Sequence, residues 1–159
     1  MSPQTAQNPT DGLTHALARE LFDLGTAIDL IGQATATRLG INQTDLICLE
    51  MLVRRGPMSA SEVASALGLT TAAISAMATR LEADGYATRE MDRRDRRRVL
   101  LRASPTGAAQ ALRLSEGFYR ACAALRADFP DDDQRALLAQ LSRFRELLGE
   151  HTEALRTRP

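Results

Sequence analysis

Between residues 41 and 86 the chain is punctuated so closely that only short, tightly joined helices fit. Asn42 stands as a helix cap, with Ile41 and Leu46 spaced to staple across the helix start. Ser59 and Glu62 make an S-x-x-E capping box, flanked by Met58 and Val63 as a second staple. Thr70 caps a third start, with Leu69 and Ile74 around it. A side-chain oxygen at each position can accept from the N–H groups that a helix start leaves without partners. Gly56-Pro57 separates the first pair of helices, and Gly68 the second, leaving Leu67 to Thr70 as the whole turn. Two short helices joined this tightly form a helix-turn-helix.

The flanking pattern completes the architecture. The third helix ends near Ala83, with Gly85 as a left-handed terminator. Tyr86 to Met91 reads as a strand, and Val99, Leu101 and Ala103 alternate with Arg98, Leu100 and Arg102 as a second. Asp92 to Arg97 between them is too polar for a core and predicts a charged hairpin tip, a wing. Upstream, a helix over residues 12–39 carries Leu17, Leu21, Leu24, Ile28 and Ile31 in a heptad-like stripe. Downstream, Ser104-Pro105 opens a helix with Leu114, Phe118, Cys122 and Leu125 on one face. Pro130 and Asp131 to Asp133 open the last, where Leu137, Leu141, Phe144, Leu148 and His151 repeat the stripe. The predicted fold is mainly α with a minor β part. Residues 1–11 read as a disordered tail and 12–155 as one domain. Within it, 41–107 form a winged helix-turn-helix lobe, and 12–39 and 108–155 a dimerisation layer with Leu17, Leu21, Leu24, Leu141, Phe144 and Leu148 at the interface.

Composition narrows the class. Of 159 residues, 44% are hydrophobic, but only 4% are aromatic and none is Trp, which favours a helical core over a β-sandwich. No apolar run approaches the roughly 18–20 residues of a membrane span, so no membrane partner is expected. Met1 to Thr10 is polar, without the apolar stretch of a signal peptide, so the expected location is cytoplasmic. Formal net charge is zero, yet its distribution is uneven. All 20 basic residues are Arg. Arg89, Arg93, Arg94, Arg96, Arg97, Arg98 and Arg102 crowd the hairpin against only Glu90, Asp92 and Asp95. Cys48 and Cys122 fit no metal or CxxC spacing and read as buried thiols in apolar helix patterns.

The helix after the tight turn carries the sharpest functional signal. Ile74, Met77, Ala78 and Leu81 line its apolar face. The opposite face carries Ala72, Ser75, Ala76, Thr79 and Ala83, with Arg80 at its edge. Thr70 at the cap and Thr71 join Ala72, Ser75, Ala76, Thr79 and Arg80 as candidate DNA contacts. Small residues let a helix approach base edges and thymine methyl groups closely. The wing arginines Arg94, Arg96 and Arg97 suit phosphates and narrow minor grooves, and Asp95 stands where it can orient Arg97.

These residues resemble the multiple-antibiotic-resistance regulator (MarR) family of winged-helix repressors. The resemblance lies in Ile41 to Leu49, in Gly56-Pro57-Met58-Ser59 through Leu67-Gly68-Leu69-Thr70, and in Arg80-Leu81-Glu82-Ala83-Asp84-Gly85-Tyr86 with Arg89. It continues through Asp92 to Arg97 and Ser104-Pro105-Thr106-Gly107. Ala76 stands where many relatives have a longer polar residue, Ala103 replaces a usual Leu, and Arg93 replaces a common Pro. The resemblance implies a homodimer on double-stranded DNA, with recognition helices in two major-groove segments and wings in the flanking minor grooves. It gives Asp95 and Arg97 the orienting and DNA-contacting roles of the wing. It further implies a ligand-responsive repressor on a pseudo-palindromic operator. Its small-molecule effector, phenolic or otherwise amphipathic, would occupy a pocket between the dimer layer and the DNA-binding lobe.

Other classes fit less well. There is no GxSxG, HExxH, P-loop or dinucleotide fingerprint, so neither an enzyme nor a cofactor is expected. His15 and His151 are isolated on the two terminal helices, and no metal cluster is expected. A winged-helix module that binds protein without DNA is the alternative, but it has little need for seven arginines around one hairpin.

Overall fold

The computed structural model describes residues 9–93 and 95–157, with side chains from residue 12 onward. Its elements run α1 (Pro9–Leu39), α2 (Gln43–Arg55), β1 (Met58–Ser59), α3 (Ala60–Leu67), α4 (Thr71–Ala83), β2 (Ala87–Met91), β3 (Val99–Ala103), α5 (Pro105–Ala127) and α6 (Asp131–Thr157). The fold is a winged helix-turn-helix, as the punctuation predicts. Two compact units meet in sequence inside α5, between Leu114 and Ser115.

In the first unit all three expected caps form. Asn42 Oδ1 accepts from the Asp45 N–H at 2.9 Å, and Thr70 Oγ1 accepts from the Ala73 N–H at 3.2 Å. The Ser59–Glu62 box closes both ways, with Ser59 N donating to Glu62 Oε2 at 2.7 Å and Glu62 N donating to Ser59 Oγ at 3.3 Å. Gly85, at φ 75°, terminates α4: Tyr86 N donates to Leu81 O and Gly85 N to Glu82 O, which satisfies the last carbonyls and turns the chain into β2.

These joints stack α2, α3 and α4 on the small sheet around one core. Cys48, Met51 and Leu52 of α2 meet Val63 and Ala64 of α3, all four predicted apolar residues of α4, Ala87 and Leu101. Ile74 and Leu81 are completely buried, so the apolar stripe of α4 faces inward as its spacing requires. The sheet is antiparallel in the order β1-β3-β2, with Met58 opposite Leu101 and Arg89 opposite Leu101 on the other side.

Several details depart from the sequence reading. Helix α1 begins at Pro9, three residues before the expected start, while residues 1–8 of the expected tail lie outside the described residues. Strand β1 has two residues, too few for any alternation to reveal it. Cys48 is buried as expected, but Cys122 is exposed, a correction. The reason lies in the second unit, where α6 buries no residue and α5 turns Phe118 and Leu125 outward. In that unit Gln134 Nε2 donates to the carbonyls of Arg126 and Phe129, closing the bend between α5 and α6. No described helix is long and apolar enough to cross a membrane.

Candidate nucleic-acid interface

The outer face of α4 is open. Thr70, Thr71, Ala72, Ser75, Ala76, Thr79 and Arg80 are all exposed. Two of the hydroxyl groups bond back to the helix: Ser75 Oγ donates to Thr71 O and Thr79 Oγ1 to Ser75 O, both at 3.0 Å. Arg80 has a role the sequence reading missed. Its Nε and Nη2 donate to the two oxygens of Asp45 at 2.9 and 2.7 Å. Asp45 is only 2% exposed, whereas half of the Arg80 side chain remains accessible. The hydrogen bonds to Asp45 hold the Arg80 proton more tightly than usual. A buried carboxylate needs such a partner, so this pair fixes α4 against α2. An acid three residues after a cap usually signals only a helix start, and nothing local reveals a partner 35 positions away.

The arginine cluster divides into two groups. Arg89, Arg98 and Arg102 are engaged within the lobe. Arg89 Nη1 pairs with Glu82, and its Nη2 donates to Ser75 O and Thr79 Oγ1, each at 3.2 Å. Strand β2 is thereby tied to the exposed face of α4. Arg98 Nη2 lies 3.3 Å from Ser59 Oγ and 3.4 Å from Glu62 Oε2, fastening β3 to the α3 capping box. Hydrogen bonding from Ser59, then the nearby Arg98, holds the Glu62 carboxyl below its ordinary pKa. Arg102 grips Glu90 across the hairpin with two bonds of 2.9 and 2.8 Å, which lowers the Glu90 pKa.

The second group is the tip. Arg93, Arg96 and Arg97 are exposed and make no ion pair among the described residues. Arg94, also expected in the wing, lies outside the described residues. Asp95 does reach Arg97, but through the backbone: its Oδ1 accepts from the Arg97 N–H at 3.0 Å, and its carbonyl accepts from Arg98 N at 2.9 Å. Asp95 therefore shapes the turn that presents the Arg97 side chain.

The base of the hairpin is anchored to α5. Ser104 Oγ donates to Gly85 O at 2.6 Å and accepts from Gly107 N at 2.9 Å, while Ser104 N donates to Tyr86 O. Tyr86 in turn donates its hydroxyl to Leu39 O, at the end of α1. Helix–turn–helix, wing and both adjoining helix ends thus share one hydrogen-bonded frame.

Comparison with known proteins agrees with this geometry. Residues 39–98 match the MarR family model. The uncharacterized HTH-type transcriptional regulator YcgE of Bacillus subtilis (strain 168) is 45% identical over 85 residues, which are 53% of this chain and 55% of that protein. The chain therefore spans about half the length of that curated relative. A MarR family protein from Bacillus stearothermophilus shares the fold at TM-score 0.66 and 20% identity, over 92% of this chain and 99% of that one. An S. aureus MepR variant, solved bound to an oligodeoxyribonucleotide, does so at TM-score 0.56 and 16% identity, over 83% and 97%. The capped helices and the wing tip fall within the matched segment, so the lobe over residues 39–98 is similar to the winged helix-turn-helix of the MarR family.

Proposed function

We propose that this chain is a DNA-binding transcriptional regulator acting in the cytoplasm as a homodimer. One observation carries the reading. An open α4 face of small residues and a wing tip of exposed arginines belong to one lobe, and Arg89 ties the strand leading to that tip onto α4. A helix of this kind fits a major groove, and guanidinium groups at a hairpin tip fit the phosphates and narrow minor groove beside it. Thr70, Thr71, Ala72, Ser75, Ala76 and Thr79 face the bases, and Arg80 lies at their edge. Arg94, Arg96 and Arg97 provide wing contacts, with Asp95 holding their turn. A two-fold dimer places two such helices about 34 Å apart, so the operator is a pseudo-palindrome. The MepR variant's bound oligodeoxyribonucleotide supports DNA as the partner.

Apolar side chains left open on single helices support the dimer. Leu17 and Leu24 of α1 are 46% and 45% exposed, and Leu141 and Leu148 of α6 are 43% and 54% exposed, with Leu21 and Phe144 half-buried. Faces of this extent call for a partner surface. The regulator acts as a repressor whose DNA affinity responds to a small amphipathic effector, by preferential binding to one of two conformations.

The test is a mobility shift with the DNA upstream of the chain's own gene, followed by a salt titration. Arg97→Ala weakens binding to all sequences and makes the salt slope shallower by about one per lost phosphate contact. Unchanged affinity across the titration removes Arg97 from the interface. Absence of any retarded complex favours a protein-binding module instead.

A further inference from the structure

Two-point reading of a purine edge in the major groove needs a side chain with paired polar atoms, chiefly Arg to guanine or Asn and Gln to adenine. Helix α4 holds one such residue, Arg80, and it already makes a two-point pair with the buried Asp45. The cation that reaches the same face from β2 is Arg89, which is held by Glu82, the Ser75 carbonyl and the Thr79 hydroxyl. The hydroxyl protons of Ser75 and Thr79 point into the helix backbone. What remains open on the face is small and methyl-bearing, notably at Ala72, Ala76 and Thr79.

We infer that this recognition helix reads duplex DNA by packing small side chains on thymine methyl groups and by groove shape, without two-point hydrogen bonds to purines. This rests on the DNA-binding reading above and specifies the operator chemistry it uses. Burying a methyl group is worth a modest factor in affinity, so selectivity accumulates over several thymines. Sequence-dependent groove width at the wing supplies the remainder.

The test uses a duplex selected by the full-length protein from a randomised pool, prepared in three forms and titrated by fluorescence anisotropy. One form is unmodified. The second replaces thymine by uracil, which deletes only the methyl group. The third replaces purines by their 7-deaza analogues, which lack the N7 acceptor needed for two-point contacts. The expected result is a loss of about fourfold for each contacted methyl removed. The 7-deaza duplex binds like the unmodified one. Ala76→Gln, which adds a two-point reader, makes the selected duplex sensitive to 7-deaza substitution. A loss above about fivefold with 7-deaza purines in the unaltered protein overturns the inference. Insensitivity to uracil overturns it equally. Failure to select any duplex instead removes the DNA-binding reading on which it stands.

Discussion

Gly107 lies against the backbone of Tyr86 with no room for a side chain: a Cβ there would sit 2.3 Å from the Tyr86 carbonyl oxygen. That oxygen also accepts from Ser104 N, so the backbone cannot move aside without breaking the anchor of the hairpin on α5. Gly107→Ala is expected to cost about 1–3 kcal/mol of stability, measured by urea unfolding. An unchanged midpoint would show that the joint yields freely. Cys48 gives a chemical test of the core. Burial, followed by the nearby Asp45 charge, raises its thiol pKa to about 11. In the folded protein at neutral pH, Cys48 is therefore expected to resist alkylation, since the thiolate is the reactive form. Peptide mapping after iodoacetamide treatment checks this, with urea-unfolded protein as the labelled control. Rapid native labelling would contradict the packing around α2.

The elements were legible in the sequence wherever their signals were local. Asn42, Ser59 and Thr70 each bond three residues ahead, and the strand alternation is contained in five residues. The partnering of charges was not legible. Seven arginines resembled one basic patch, but Arg89, Arg98 and Arg102 find acids on α4, α3 and β2 that only the folded chain brings near. These ties make an acid-dependent wing. The folded pKa values of Glu62 and Glu90 lie below the ordinary 4.5, so both carboxylates contribute stability above that pH. The contribution is lost as pH falls through the lowered values. Thermal melts below pH 4.5 are expected to fall less steeply for a Glu62→Gln, Glu90→Gln variant than for the unaltered protein. Identical slopes would mean that the ties do not hold the wing. Arg89→Gln is expected to weaken DNA binding at constant helix content, because β2 then loses its hold on α4. Equal affinity by anisotropy would separate the two elements.

At the scale of the whole molecule, the terminal helices are where the sequence was least sufficient. Their stripes are visible, but the apolar pattern that predicts a buried Cys122 misleads and the residue is exposed, because heptad spacing does not say whether a face is covered within one chain or by another. The proposed homodimer resolves this by covering the open leucines of α6. Leu141→Asp with Leu148→Asp is expected to yield monomers in sedimentation equilibrium and to abolish two-fold operator binding. A dimer that persists would place the interface elsewhere. The most direct test of the account is a hydroxyl-radical footprint of the full-length protein on its selected duplex. Two symmetric protected segments are expected, centred about one helical turn apart, with wing protection beyond each that Arg97→Ala diminishes. A single unsymmetric segment, or an Arg97→Ala pattern identical to that of the unaltered protein, would contradict it.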